Sequence, residues 1–319
     1  MRIALIGFGN VGRAFAQLLM RKHAAFPFRI TGVHTRHGSA IHNNGLPASP
    51  VLGPPIPTID EFLDRARSEV VAELTTLNPE SGEPAISHIR AAFARGRHVI
   101  TANKGPIAHA FAELKEEARQ AGVEFRYEST VMDGTPVFNT VRNNLPGVKV
   151  LGFVGALNST SKIIVDAMRA GKSMEEGVRQ AQKMGVAEAD AGYDIDGWDS
   201  AAKTAALANV LMDARVTPKD VERRGIRRLT TARVQEIARS GKTVVLVSRA
   251  RTTSSGLRLR VRAEVLDATD LLAAVKGTSN LLLLQTDLMG TIGTVSISPG
   301  VEQTAYGVFS DLVDIAKSL

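Results

Sequence analysis

Arg2-Ile3-Ala4-Leu5-Ile6-Gly7-Phe8-Gly9-Asn10-Val11-Gly12 begins the chain with a short strand pattern that runs directly into a glycine-rich turn. Helical spacing of apolar residues follows over 11–22. A G-x-G-x-x-G run marks a dinucleotide-binding loop when a strand precedes it and a helix follows. Each glycine has its own reason. Gly7 permits the tight turn, Gly9 lets the backbone approach a pyrophosphate, and Gly12 allows close helix–strand packing. The helix N-terminus then offers N–H groups and a positive partial charge to the anion. Gly7, Phe8, Gly9, Asn10, Val11 and Gly12 are therefore the expected cofactor loop.

Outward from this loop the same period repeats. Short apolar runs at 3–6, 29–33, 70–74, 99–101 and 124–127 alternate with amphipathic stretches at 11–22, 59–67, 84–95 and 107–121. That alternation predicts a doubly wound parallel sheet with helices on both faces. The stretch 37–57, rich in Gly, Pro, Asn and Ser, reads as a long loop or flap. After residue 147 the pattern changes. Strand candidates at 150–154, 243–247, 257–265, 281–285 and 294–298 are interleaved with helical stretches at 162–170, 174–184, 200–213 and 231–239. The fold class is thus α/β, an N-terminal Rossmann-type domain over 1–134 and a second α+β domain over 135–303. The last helix, 304–317, is expected to return to the first domain. Residues 257–265 alternate strictly, which predicts one wet face.

The end of the second strand bears on the choice of dinucleotide. A site for NAD commonly places an acid there to hold the ribose hydroxyls. Here the chain reads Val33-His34-Thr35-Arg36-His37, without an acid. Arg36 is placed to pair with a 2′-phosphate, which a guanidinium can grip through two donors. NADP is the favoured cofactor, with NAD as the alternative.

Composition removes several other classes. The chain has 319 residues, 44% hydrophobic and 22% charged, as in ordinary globular proteins. No apolar run approaches the ~20 residues that span a bilayer. The strand pattern at the N-terminus leaves no room for a leader, so a cytoplasmic protein without a membrane partner is expected. There is no cysteine, which excludes disulfides, thiol nucleophiles and thiolate metal sites. Seven histidines show no HxxxH or HExxH pattern. The net charge of +7 is scattered, apart from a basic run at 222–228, and aromatic content is only 5%. No stacking platform accompanies the basic residues, so nucleic acid is not an expected partner.

The densest chemistry lies in Glu188-Ala-Asp-Ala-Gly-Tyr-Asp194-Ile-Asp-Gly-Trp-Asp199-Ser-Ala-Ala-Lys203. Five carboxylates precede a lysine in an alanine-rich helical run. Asp199 and Lys203 are four residues apart and share a helical face. Such a cluster can hold a small cationic or polar substrate and tune an amine for proton transfer. The alanines around Lys203 would lower its pKa by desolvation, and the carboxylates would raise it. Upstream, Val99-Ile-Thr-Ala-Asn103-Lys104-Gly-Pro106 ends a strand and starts a helix. That places Lys104 at the carboxyl edge of the sheet, where open α/β folds bind ligands.

Together, GFGNVG at 7–12, TANKGPIA at 101–108, YESTVMDGTP at 127–136 and GVAEADAGYDIDGWDSAAK at 185–203 resemble homoserine dehydrogenase over nearly the whole chain. The resemblance is to the short form, without a C-terminal regulatory ACT domain. It implies reduction of L-aspartate 4-semialdehyde to L-homoserine, or the reverse, as a step of threonine and methionine biosynthesis. It assigns Lys203 to proton exchange with the substrate oxygen. Lys104 becomes a second catalytic lysine near substrate and nicotinamide, either opposing the substrate carboxylate or polarising the carbonyl. Glu188 and Asp199 would hold the substrate ammonium, with Asp194 as a further site carboxylate. Thr75, Gly185 and Gly300 join the cofactor contacts. The carbonyls of Glu128, Val131, Asp133 and Thr135 match a sodium site, and a homodimer through the second-domain sheet is implied.

Two departures stand out. Asn158-Ser-Thr-Ser-Lys162 carries a lysine where the family commonly has asparagine, and a GPGAGG loop is reduced to Ser298-Pro-Gly300-Val-Glu. Another oxidoreductase of a small amino acid, or a catalytically silent NADP-sensing protein, is the alternative reading.

Overall fold

The structure, a computed structural model, describes residues 1–187 and 190–319. The chain forms two compact units, Met1–Asn139 together with Gly300–Leu319, and Thr140–Pro299.

The first unit runs β1 (Arg2–Ile6), α1 (Asn10–Lys22), β2 (Arg29–Thr35), β3 (Gly38–Ile41), α2 (Ile59–Ala66), β4 (Val70–Glu73), α3 (Ala85–Phe93), β5 (His98–Thr101), α4 (Lys104–Gln120) and β6 (Phe125–Arg126). Its sheet has the order β3-β2-β1-β4-β5-β6. All neighbours are parallel except β3 on β2. The order reverses between β1 and β4, the switch point at which doubly wound sheets bind ligands. Strand β1 buries Ile3, Ala4, Leu5 and Ile6 almost completely, as a strand covered on both faces must. Gly32 in β2 lets α2 lie close, because a Cβ there would sit 2.9 Å from the Phe62 ring. Thr58 starts α2 by accepting the Glu61 N–H at 3.1 Å.

The stretch 37–57 is not wholly a loop. Gly38–Ile41 forms the antiparallel edge strand β3. The Thr35 hydroxyl closes the intervening turn, accepting the N–H groups of His37 at 3.2 Å and Gly38 at 3.1 Å. Neither alternation nor β-branching marks this short run, so only its pairing with β2 reveals it.

In the second unit follow α5 (Phe138–Asn144, which begins in the first), β7 (Val150–Ala156), α6 (Ser159–Arg169), α7 (Met174–Lys183), α8 (Gly192–Ile195), α9 (Trp198–Leu211), β8 (Glu222–Arg224), α10 (Thr231–Arg239), β9 (Lys242–Thr253), β10 (Gly256–Asp267), α11 (Leu271–Ala274), β11 (Asn280–Thr286) and β12 (Thr291–Ser296). The sheet order is β12-β11-β7-β9-β10-β8. Helices α6, α9 and α10 pack against β9. On the opposite face Val154, Ala156, Val245, Val247 and Leu281 form an apolar cluster with Leu272 and Ala273 of α11. At the centre of β10 Leu259 and Val261 are buried while Arg258 and Arg262 are exposed, as the alternation expects; at its ends Leu257 and Val265 are exposed as well. The basic run at 222–228 is an edge strand and turn packed on the acidic segment, as described below.

The chain ends with α12 (Val301–Ser318), which belongs to the first unit and packs on α1. Ala305, Val308, Phe309, Leu312 and Ile315 enter one core with Ile3, Leu5, Phe15 and Leu19.

Candidate active site

The first unit holds a cavity of about 620 Å³ at the switch point, lined among others by Gly7, Gly9, Arg13, Arg36, Thr75 and His88. The three glycines occupy three different environments. Gly7 has φ +95°, and a Cβ there would lie 2.5 Å from the Leu74 carbonyl oxygen. A Cβ on Gly9 would meet nothing within 4 Å, so its backbone borders open space. One on Gly12 would press on the Gly7 carbonyl at 3.0 Å. Gly9 caps α1 without a side-chain hydrogen bond, and the first turn carries no acid. An anion is thus suited to the amides there. Phe8 lines the cavity, while Asn10 and Val11 form the first turn of α1.

Arg36 and His37 form the turn between β2 and β3, and both border the cavity. The Arg36 Nε donates to His37 Nε2 at 2.8 Å. His34, at the end of β2, has its Nδ1 2.8 Å from Ser39 Oγ. Burial, and then the charge of His88, hold the His34 imidazole below its ordinary value, so it is neutral near pH 7. Among the described residues, no carboxylate lines this cavity. Lys104 is the first residue of α4, directly after the N-cap Asn103.

The 128–135 segment is a 3-10 turn followed by a loop in which Asp133 takes φ +56°. The Glu128 carboxylate accepts from the amides of Val137 at 2.6 Å, Phe138 at 2.9 Å and Asn139 at 2.5 Å. It therefore caps α5. Buried Asp311 accepts the Glu128 N–H at 2.8 Å. Val131 is buried, and Thr135 N donates to Met132 O at 3.0 Å. Among the described residues, no group of three or more His, Cys, Asp or Glu is arranged to hold a metal. A cation here would have to rest on the main-chain oxygens of Glu128, Val131, Asp133 and Thr135, uncharged donors that suit a hard, weakly held ion.

In the second unit the acidic segment and α6 converge. Asn158, the N-cap of α6, donates to Asp194 Oδ1 at 2.5 Å and Asp199 Oδ2 at 3.0 Å. The same Asp199 oxygen lies 3.0 Å from Lys203 Nζ. Lys203 also donates to the Leu157 carbonyl at 2.8 Å. Burial, and then the neighbouring Asp199 charge, push the Asp194 carboxyl above its ordinary value, against the pull of Asn158 and Lys203. The arrangement can receive an ammonium group, whose charge would relieve the repulsion between the two carboxylates. It also holds a proton on Lys203 between a carboxylate and a carbonyl.

The structure thus brings Asp194, Asp199 and Lys203 together. Glu188 lies outside the described residues. Gly185, at φ +70°, follows α7 with its N–H on the Gln182 carbonyl at 2.9 Å. Gly300 belongs to the first unit, where it caps α12 and donates to Gln303 Oε1 at 2.9 Å.

Sequence reasoning missed Asn158 as the joint of the cluster. Its only signal was its place before a helical run, an N-cap position. Lys162, one turn further on, also contacts main-chain and amide oxygens of the second unit. Its ammonium donates to Ser279 O, to Asn280 Oδ1 at 3.0 Å and to Ala156 O at 3.4 Å. The basic run also has a local purpose. Arg227 grips Asp196 through two bonds, 2.5 and 2.8 Å. Arg223 stacks 3.7 Å over the Trp198 ring and donates to Asp196 O at 2.5 Å. A Cβ on Gly225 would overlap the Ile195 carbonyl, so only glycine lets this turn close on the segment.

A dinucleotide-type fold and a carboxylate–lysine cluster fit a nicotinamide-dependent oxidoreductase, and the relatives described next make it one that acts on a CH–OH group. Comparison with known proteins narrows the class. The family profile described as "Homoserine dehydrogenase" matches residues 136–313, and "Homoserine dehydrogenase, NAD binding domain" matches residues 7–128. The chain is 35% identical to an NAD(+)-dependent homoserine dehydrogenase of Pseudomonas canavaninivorans, over 99% of this chain and 96% of that one. It is 32% identical to a homoserine dehydrogenase of Methanocaldococcus jannaschii, over 100% and 99%. A hyperthermophilic archaeal homoserine dehydrogenase solved with NADPH superposes with a TM-score of 0.84 at 26% identity, covering 100% of this chain and 98% of that one. The chain belongs to the homoserine dehydrogenase family.

Proposed function

We propose that this chain interconverts L-aspartate 4-semialdehyde and L-homoserine with NADP(H), using Lys203 as the acid/base. The observation that carries the reading is the second-unit cluster, in which Asn158 ties Asp194 and Asp199 together beside Lys203. Nicotinamide, when bound, supplies or accepts the hydride at the substrate's C4. The residues of the chain do the rest. Asp194 and Asp199, with Glu188, seat the substrate ammonium. Lys203 gives a proton to the aldehyde oxygen as the C–H bond forms, and takes it back in the reverse direction. Acid–base help of this kind contributes roughly 10²–10⁴-fold. Lys104, at the start of α4, opposes the substrate carboxylate or polarises the carbonyl.

Relatives point both ways on the cofactor: one is named for NAD(+), another was solved with NADPH. Arg13, Arg36 and His37 line the cavity, and among the described residues no carboxylate does, which favours a 2′-phosphate. Sodium on the main-chain oxygens of 128–135 would stiffen that loop and do no chemistry. A homodimer through the second sheet fits exposed Val295 and partly buried Leu283, on the sheet face opposite α6, α9 and α10.

The deciding assay follows NADPH absorbance with L-aspartate 4-semialdehyde, then NADP reduction with L-homoserine. Turnover in both directions is expected. No rate in either direction would remove the proposal.

A further inference from the structure

The ends of β4 and β5 carry a closed ring of hydrogen bonds that the chemistry above does not use. Glu73 and Thr101 are paired as the last residues of these neighbouring strands. Both are fully buried. Glu73 Oε1 accepts the Thr75 N–H at 3.1 Å and the Thr75 hydroxyl. Its other oxygen accepts the Thr101 hydroxyl at 3.1 Å. Thr101 Oγ1 in turn accepts the Asn103 N–H at 3.0 Å. The Asn103 side chain closes the ring, its Nδ2 donating to the Thr75 carbonyl at 3.2 Å. The Asn103 Oδ1 accepts Gly105 N–H at 2.9 Å and so caps the helix that begins with Lys104.

A buried carboxylate with no solvent is costly unless its lone pairs are engaged. Glu73 meets that demand with three donors, which come from the two segments at issue. One is the Thr75 loop on the cofactor cavity; the other leads into Lys104. His88, also on the cavity, stands 3.7 Å from Glu73 Oε1.

We propose that Glu73 is a positioning residue: through Thr101 and Asn103 it locks the Thr75 cofactor loop to the N-terminus of α4, setting cofactor affinity and Lys104 placement together. The inference rests on Thr75 as a cofactor contact, in the loop that lines the cavity, and on the role of Lys104 given under Proposed function. It predicts coupling, since a rigid ring fails as a unit when any member is lost. A misplacement of about 1 Å in a catalytic group can cost ~10²-fold in rate.

The test is a double-mutant cycle of Glu73→Gln and Thr101→Val, both close in shape to the native side chains. NADPH affinity is read by fluorescence, kcat by absorbance. Each single variant is expected to bind NADPH roughly tenfold more weakly, the scale of a lost hydrogen bond to a charged group. Each should also lose kcat, and the double variant should be no worse than the poorer single. Unchanged NADPH affinity in Glu73→Gln, or losses that multiply in the double variant, would overturn the proposal. If Glu73→Gln does not fold, Asn103→Ser paired with Thr101→Val gives the same readout on the other side of the ring. NADPH binding needs no substrate, so the affinity arm decides this inference even if the substrate assignment fails.

Discussion

Lys203 Nζ sits 3.0 Å from Asp199 Oδ2, one helical turn away on α9, and Asn158 donates to that same oxygen. The lysine that would move the proton and the carboxylate that would hold the substrate are thereby one hydrogen-bonded unit. Their separation in the sequence already required a shared face. What adds function is that α6 supplies the third member.

Lys203→Ala should leave NADPH binding nearly intact while turnover collapses by about 10²-fold or more. Turnover within about threefold of wild type would take the proton-transfer role from Lys203. Stopped-flow binding and steady-state rates on one preparation make the comparison.

Asn158→Ala should raise KM for the amino-acid substrate and lower kcat, because Asp194 and Asp199 lose the donor that holds them together. Removing a hydrogen bond to a charged group costs about 1.5–3 kcal/mol. The substrate KM separates this from a folding defect, since NADPH affinity should not move.

The pH dependence follows from Asp194. Burial and the Asp199 charge raise its folded value, so the folded chain holds that proton more tightly than the unfolded chain. Stability from this group is present at low pH and falls as pH rises from the ordinary carboxylate range through the raised value. Ammonium binding needs the ionised form. KM for L-homoserine should therefore climb as pH drops through the raised value, and Asp194→Asn should abolish that limb. A wild-type KM flat across the acid range would contradict the assignment.

Arg36→Ala should weaken NADPH far more than NADH. Equal losses for both would show that the guanidinium does not meet a 2′-phosphate. Isothermal titration of the two cofactors gives the ratio directly.

Lys162→Met should lower the melting temperature and spare NADPH affinity. Methionine leaves Ser279 O, Asn280 Oδ1 and Ala156 O without the ammonium that serves them. Leaving buried acceptors unpaired costs about 1–3 kcal/mol, or about 2–4 °C per kcal/mol for a unit of this size. An unchanged melting curve would mean that the staple carries no stability.

The dinucleotide fold was legible in the sequence because its signals are local. Gly7, Gly9 and Gly12 are needed within one turn, and β1, β2, β4 and β5 are apolar runs set apart by helical periods. Strand β3 escaped because its four residues carry no period of their own; Thr35 and the pairing with β2 create it. The basic run at 222–228 stands out in the sequence only as a local concentration of charge. Its fixed contacts, Arg227 on Asp196 and Arg223 over Trp198, arise from edge-strand packing that no local pattern encodes.

The candidate site divides in the same way. By itself the sequence determined the family, the glycine loop and the Asp199–Lys203 pair, since backbone geometry sets spacings of three or four residues. Tertiary structure alone decided that Asn158 joins Asp194 to Asp199, that Lys162 turns its charge onto carbonyls of β7 and the approach to β11, and that Glu73 closes a ring with Thr101 and Asn103. Each of these joins residues distant in the chain. They meet because buried polar groups must find partners, and only the packed elements determine which partners are within reach.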